Sequence, residues 1–296
     1  MLENKLGKHG TIGIICPSHV ADIQRYEIIV QQLEQLGYQV KLGENIQKAT
    51  FGYAASGAER AADLNRFVAD EQVELILFSG GEGAAEILPF IDYDNIRKHP
   101  KLFSSYSDGT SILNAIYAQT GLVTYYGCGA GEFLDLRYYD YRNFQAYFQE
   151  ETPESFLKGS SWKSLCSGIG EGILIGSYTA LVALMLGNTY FHWDQDANYI
   201  LFLEDHESFS SPAIVATYLA FIEQSEFIKQ VKGLVFGHFS MNVPADLWGV
   251  LERFGERQQI PVVYTDDFGH GKKHGILPIG MKARLDGANP DLVYLP

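Results

Sequence analysis

The sequence has few cysteines and no long apolar run, and each shortage excludes a class of protein. Its three cysteines, Cys16, Cys128 and Cys166, lack the spacing of a metal site or a redox motif. Such a sparse, odd set indicates a reducing compartment and not a disulfide framework. The apolar run at residues 11–16 is too short for a secretory signal, and no stretch approaches the roughly 20 apolar residues that span a bilayer. We therefore expect a cytoplasmic protein without a membrane anchor.

Basic residues are also scarce. The chain has 22 Lys and Arg against 36 Asp and Glu, a net charge of −14. This balance works against nucleic acid or an anionic membrane as a partner. The 46% hydrophobic content is ordinary for a globular protein with a sizeable core. A length of 296 residues suggests two domains or one large domain.

Short apolar runs alternate with helical patterns in the first half of the chain. Strands are predicted at 11–16, 38–42, 74–78, 102–105 and 122–126. This alternation predicts an α/β fold with a Rossmann-like, doubly wound parallel sheet. Residues 135–168 are Tyr-rich and polar, and we interpret them as a connection. Later strands predict a smaller C-terminal domain with a mixed α/β sheet. The predicted division is 1–150 for the first domain, 151–168 for a linker and 169–296 for the second domain.

Ser107 is a candidate nucleophile because it follows a predicted strand and precedes a predicted helix. A serine on a sharp strand-to-helix turn presents its hydroxyl clear of the backbone, and the first N–H groups of the helix can stabilise an anion. The alternative is structural, since Ser and Asp ahead of a helix are ordinary caps. The local pattern leaves both interpretations open.

Three further segments could carry chemistry. The glycine-rich turn at 79–83 could cradle an anion or simply be a tight loop, and it lacks the lysine of a nucleotide-binding P-loop. Glu204 ends an apolar strand, where acidic residues often belong to a site. His270 and His274 have the spacing of a helical metal pair, but the glycines around them make a helix and a metal site unfavourable.

Taken together, these segments resemble one family. The matching stretches include 88–108 around Ser107, 117–127, 53–64, the Gly80-Gly81 turn, Leu203-Glu204-Asp205, and Gly269-His270 ahead of Leu277-Pro278-Ile279-Gly280. In order and spacing, from about residue 11 to about residue 285, they resemble the LD-carboxypeptidases and the related microcin C immunity peptidases.

The resemblance implies a serine peptidase that needs no cofactor and no metal. It implies Ser107 as nucleophile, His270 as general base and Glu204 as the carboxylate that orients the imidazole, with the triad assembled from both domains. The backbone N–H groups of Gly81 and Asp108 would form the oxyanion hole. The family also implies a cytoplasmic homodimer acting on a small peptide or peptide-like substrate.

The resemblance leaves the substrate open. The carboxypeptidases remove a terminal D-alanine from murein peptides, whereas the immunity peptidases cleave peptidyl- or aminoacyl-nucleotide conjugates. This chain departs from the family at Ser105, at Glu82 and at Gly176-Ser177-Tyr178. An extra carboxylate at Glu82 would disfavour an anionic group near the turn. Two other functions stay open: a binding protein that has lost the activity, and a nucleotide-binding protein that uses the turn.

Overall fold

The computed structural model describes residues 5–296 and contains two compact units, the first ending at Thr152 and the second spanning Pro153–Pro296. The elements of the first unit are β1 Thr11–Ile15, α1 Ile23–Gln35, β2 Gln39–Leu42, α2 Gly57–Ala69, β3 Val73–Phe78, α3 Tyr93–Lys98, β4 Leu102–Ser105, α4 Thr110–Thr120, β5 Thr124–Tyr126 and α5 Tyr138–Phe148.

The five strands of this unit form a parallel sheet in the order β2-β1-β3-β4-β5. Strands β1 and β3 are buried almost throughout, as expected for mostly apolar strands of a parallel sheet, and Glu74 in β3 is the one partly exposed position. The order 2-1-3-4-5 is that of a doubly wound sheet, and the strand sequence reverses between β1 and β3. Ligands of such sheets bind beyond the carboxyl ends of the strands at that reversal. The predicted Rossmann-like N-terminal fold is confirmed.

The second unit contains a seven-stranded mixed sheet. Its elements are β6 Lys163–Cys166, β7 Ile169–Tyr178, α6 Thr179–Met185, β8 Tyr199–Glu204, α7 Pro212–Glu223, β9 Val231–His238, α8 Ala245–Gln258, β10 Val262–Gly269, β11 Leu277–Ile279, β12 Lys282–Asp286 and β13 Asp291–Tyr294. The sheet order is β13-β12-β7-β8-β9-β10-β6. Strands β7 to β10 are parallel, while β12, β13 and β6 pair antiparallel. The predicted mixed α/β sheet is confirmed.

The interpretation of 135–168 as a connection is wrong for part of that range. Helix α5 lies within it, and its Phe144 and Phe148 rings pack edge to face with centroids 5.2 Å apart. Strand β6 also lies within it and pairs with β10. Among residues 5–296 no helix is both long and apolar enough to cross a bilayer.

Asp267, in β10, binds the segment that precedes β6. Its carboxylate is fully buried and accepts hydrogen bonds from the Gly159 and Ser160 N–H groups, the Trp162 indole and Lys273 Nζ, at 2.9–3.1 Å. Burial alone would raise the pKa of Asp267, but the hydrogen bonds from Ser160, Lys273 and Trp162 outweigh it and hold the pKa below its usual range.

We expect Asp267→Ala to lower the free energy of unfolding by about 3–5 kcal/mol, because it removes the carboxylate that pairs with Lys273 and that accepts hydrogen bonds from several buried donors. A carboxyl group whose pKa is lowered in the native state stabilises the fold at pH values above its pKa in the unfolded chain. This stabilisation is lost as the pH falls through the native pKa. The deficit should therefore be full at neutral pH and shrink in acid. Denaturant unfolding at pH 7 and pH 3 measures it, with the exposed Asp196→Ala as the control. Equal deficits at both pH values would contradict this role.

Candidate active site

Ser107 lies on a strained turn between β4 and α4. Tyr106 is extended, Ser107 has a φ of +56°, and a short 3₁₀ turn, Ser107–Gly109, leads into the helix. Only two non-glycine residues in the range 5–296 have a positive φ, and Ser107 is one of them. Thr110 Oγ1 donates to the Ser107 carbonyl at 2.6 Å and holds the turn. Strain of this kind persists where the surrounding structure enforces it, and it is common at functional sites.

The glycine-rich turn at 79–83 lies beside Ser107. A Cβ built on Gly80 would be 3.9 Å from Ser107 Cβ. Gly81 has a φ of +134°, and a Cβ built on it would lie 3.0 Å from Ser18. Both the backbone conformation and the lack of room for a side chain therefore require glycine at this position. The predicted neighbours Ser107, Asp108 and Gly81 are thus close together within the first unit.

Asp108 uses its side chain to hold the end of this turn. Its Oδ2 accepts the Ala84 N–H at 2.6 Å. Burial raises the pKa of Asp108 above its ordinary value, against the lowering by the Ala84 N–H and the Ser18 hydroxyl, and the nearby Glu82 raises it further. The Asp108 carboxyl is therefore structural, and only its backbone N–H is a candidate for oxyanion binding.

Glu204 and His270 form a hydrogen-bonded pair in the second unit. Glu204 is the last residue of β8, and His270 directly follows β10. His270 Nδ1 lies 2.8 Å from Glu204 Oε2, and Glu204 is fully buried. A carboxylate only accepts, so Nδ1 carries the proton and the Nε2 lone pair can act as a base. The structure thus brings together the two residues that the family resemblance paired, and their catalytic roles stay a prediction.

Gly269 permits that contact. Its φ is +104°, and a built Cβ would lie 3.2 Å from Glu204 Oε2. Any other residue would strain the backbone and push against the carboxylate. The second oxygen, Glu204 Oε1, is buried and has no hydrogen-bond partner among residues 5–296. Among residues 5–296, His270 is therefore the one hydrogen-bond partner of the Glu204 carboxylate.

Two aromatic rings flank His270. Tyr178 and Phe209 stack on each other with centroids 5.3 Å apart and planes 11° from parallel. Both meet the imidazole edge to face, at 5.5 and 5.0 Å. Phe209 is 46% exposed, so the stack also presents an apolar surface to solvent. In the sequence, Tyr178 stands out only as a departure from the family, and no pattern there points to Phe209.

A second histidine–carboxylate pair was also missed. His238 ends β9, and its Nδ1 lies 2.7 Å from Asp266 Oδ1, which also accepts from the Tyr264 hydroxyl at 2.9 Å. His206 lies between the two pairs, with its ring 5.7 Å from His238 and 6.4 Å from His270. The signal that could have found His238 is its place at the carboxyl end of a parallel strand, the rule that selected Glu204.

His206 is held as a neutral ring. The Ser208 N–H donates to its Nδ1 at 3.1 Å, which fixes the proton on Nε2. Burial lowers the pKa of His206, and His238 and His270 lower it further. Within residues 5–296, no group of three or more His, Cys, Asp or Glu side chains is arranged to hold a metal ion.

Asp205 is a buried acid directly after Glu204. Burial raises the pKa of Asp205 to about 6, although the Ser210 hydroxyl lowers it, and neighbouring Glu204 adds to the rise. At pH values between the pKa of Asp205 in the unfolded chain and its pKa in the native state, the native carboxyl is protonated while the unfolded one is ionised. The free energy of unfolding therefore falls as the pH rises through this range. Above about pH 6, the ionised Asp205 therefore costs stability.

We expect Asp205→Asn to raise the free energy of unfolding by about 2–3 kcal/mol at pH 8 and to change it little at pH 4, since the amide never ionises. The side-chain amide oxygen of the variant can still accept a hydrogen bond from the backbone N–H of His206, which donates to Asp205 Oδ1 at 3.2 Å. Denaturant unfolding at the two pH values measures the difference, with Asp196→Asn as the control. A variant less stable at pH 8 would contradict the prediction.

Two family profiles match the chain in sequence order: the LD-carboxypeptidase N-terminal domain over residues 12–127 and the LD-carboxypeptidase C-terminal domain over residues 171–285. A Bacillus subtilis protein named "Probable murein peptide carboxypeptidase" is 30% identical, covering 97% of this chain and 92% of its own length. The microcin C7 self-immunity protein MccF of Escherichia coli is 27% identical, covering 99% of this chain and 95% of its own.

Solved structures agree with the sequence relatives. An MccF-like protein from Bacillus anthracis superposes with a TM-score of 0.88 at 26% identity, covering 100% of this chain and 99% of its own. A muramoyltetrapeptide carboxypeptidase from Oxalobacter formigenes gives 0.84 at 26% identity, covering 96% and 97%. The predicted family is therefore confirmed, and the chain belongs to the LD-carboxypeptidase family of peptidases.

Proposed function

We propose that this protein is a serine carboxypeptidase that removes a terminal D-alanine from murein peptides through an acyl-enzyme. The observation that carries the proposal is the hydrogen bond between His270 and the buried Glu204, a contact that needs the glycine at 269. The strained turn at Ser107 beside the glycine-rich turn adds support from the first unit. The family supplies the peptidase chemistry, and relatives named for murein peptides supply the substrate class.

In the first step, Ser107 Oγ attacks the carbonyl carbon of the scissile amide. The Oγ–C bond forms, the carbonyl electron pair moves onto oxygen, and the hydroxyl proton passes to His270 Nε2. Glu204 stabilises the imidazolium that results and keeps its ring in one orientation. The N–H groups of Gly81 and Asp108 stabilise the oxyanion, which in comparable sites contributes about 3–4 kcal/mol per donor.

In the second step, the tetrahedral intermediate collapses and the C–N bond breaks. His270 Nε2 gives its proton to the departing amine of D-alanine. Water then attacks the ester carbonyl carbon and gives a proton to His270 Nε2. The bond from that carbon to Ser107 Oγ breaks, His270 Nε2 returns the proton to Oγ, and the shortened peptide acid leaves. The cycle consumes one water and needs no cofactor.

Murein tetrapeptide ending in D-alanine is the substrate that tests this function. Purified protein should release D-alanine and the tripeptide acid, detected by mass spectrometry, at a rate proportional to enzyme. A tetrapeptide with terminal L-alanine should be a poor substrate and serves as the matched control. Absence of D-alanine release, with hydrolysis of an aminoacyl-nucleotide conjugate instead, would assign the chain to the immunity chemistry for which MccF is named.

We further propose that the protein works in the cytoplasm as a homodimer, as the family resemblance implies. The sparse cysteines support a reducing compartment. Sedimentation equilibrium of the purified chain tests the assembly. A species of twice the 33.0 kDa chain mass is expected, and a monomer at micromolar concentration would contradict it.

A further inference from the structure

His19 lies at the reversal of the first sheet. It belongs to the loop that leaves the carboxyl end of β1, and the glycine-rich turn leaves the carboxyl end of the neighbouring β3. Although 61 residues separate them in sequence, His19 Nδ1 lies 2.6 Å from the Gly80 carbonyl oxygen. A carbonyl oxygen only accepts, so Nδ1 donates this hydrogen bond.

This hydrogen bond orients the peptide that follows Gly80. The Gly80 carbonyl and the Gly81 N–H belong to one planar, trans peptide group, and they point in opposite directions. Anchoring the oxygen on the His19 side therefore aims the N–H the opposite way. Glycines on both sides of this peptide leave its backbone soft, so without an anchor it can rotate to other orientations.

Other contacts hold the rest of the turn, whereas His19 binds the Gly80–Gly81 peptide. The Glu82 N–H donates to the Ser18 carbonyl at 3.3 Å, and Arg60 Nη1 donates to the Gly83 carbonyl at 3.0 Å. Asp108 accepts the Ala84 N–H. These contacts fix positions 82–84, beyond the peptide whose N–H is the proposed oxyanion donor.

We propose that His19 is a positioning residue of the oxyanion hole: through the Gly80 carbonyl it aims the Gly81 N–H at the developing oxyanion. The inference rests on the proposed function and deepens it. Burial lowers the pKa of His19, against a rise from the Gly80 hydrogen bond, and nearby Arg25 lowers it further. Its ring is therefore neutral near pH 7, with its proton on the donor Nδ1.

The chain offers a conservative variant and a matched control. The amide nitrogen of asparagine can occupy the position of Nδ1, so His19→Asn can keep the donor while His19→Ala removes it. His9 makes the same kind of contact at a different turn, from Nδ1 to the Gly37 carbonyl at 3.1 Å. His9→Ala therefore deletes an equivalent hydrogen bond away from the glycine-rich turn.

The experiment compares steady-state hydrolysis of the murein tetrapeptide with binding of a peptide boronic acid, whose adduct with Ser107 mimics the tetrahedral intermediate. An aimed oxyanion donor acts on the transition state and little on the ground state. We expect His19→Ala to lower kcat by about 10- to 100-fold with KM within about 3-fold, and to weaken the boronate by the same factor as kcat. His19→Asn should recover most of the loss, and His9→Ala should match the wild type.

An unchanged kcat in His19→Ala, with an active wild type, would overturn the role of His19 and leave Ser107 as the nucleophile. A kcat loss without weaker boronate binding, or a loss equally large in His19→Asn, would also overturn it. An inactive wild type that binds no boronate would overturn the proposed function and this inference together.

Discussion

Ser107→Ala is expected to lower kcat/KM for release of D-alanine by about 10⁴-fold or more, because the acyl-enzyme cannot form without the hydroxyl. The fold should remain intact. Serine and alanine both carry a Cβ, so the left-handed φ of +56° costs the two residues a similar amount. Initial rates with the murein tetrapeptide, together with the unfolding midpoint of each protein, measure the two parts of the prediction.

Ser111→Ala is the matched control for that variant. Ser111 is also buried, at the start of α4, and its hydroxyl has no hydrogen-bond partner among residues 5–296. Its removal should leave both rate and stability close to the wild type. Retention of most activity by Ser107→Ala would remove Ser107 as nucleophile, whatever the behaviour of the control.

Glu204→Gln is expected to lower kcat by about 10³- to 10⁴-fold, since a neutral amide neither fixes the His270 tautomer nor stabilises the imidazolium. The side chains have nearly the same shape, so the buried position at the end of β8 should still be filled. KM should change little, because Glu204 contacts the imidazole and in the proposed mechanism does not touch bound substrate. Steady-state kinetics of D-alanine release across pH 5–9 measure the effect.

Two controls separate this effect from a general loss of charge. Glu207→Gln changes an exposed carboxylate in the same loop, and His274→Ala removes the other histidine near β10. Both should leave kcat within a few-fold of the wild type. Full activity in Glu204→Gln, or a collapse in His274→Ala, would mean that a different carboxylate or histidine serves the nucleophile.

The sequence predicted the elements whose apolar patterns are unambiguous. Strand β3 contains the buried apolar run Leu75–Phe78, and β4 was predicted with its observed ends. Helix α5 was missed because its Tyr-rich sequence was interpreted as polar. In the structure the helix buries Tyr147 together with Phe144 and Phe148. Strand β6 is a short, half-exposed edge strand beside a Gly-Ser-Ser cluster, and such segments carry little pattern of their own.

The candidate site divides in the same way. Ser107, Glu204 and His270 each stand at an element end, so local pattern and family resemblance could select them. The contact of His19 with Gly80 arises because β1 and β3 are neighbours in the sheet, a fact that sequence order does not give. The stack of Tyr178 on Phe209 similarly depends on how the loop after β8 folds back over the end of β7.

The left-handed backbone at Ser107 also limits which nucleophiles this turn can accept. A β-branched side chain is a steric outlier at a φ of +56°, so threonine, the other hydroxyl nucleophile, does not fit there without moving the turn. Cysteine is unbranched and keeps the geometry of serine. The backbone conformation at position 107 therefore disfavours threonine and accepts cysteine, whose thiol would also allow selective labelling at this position.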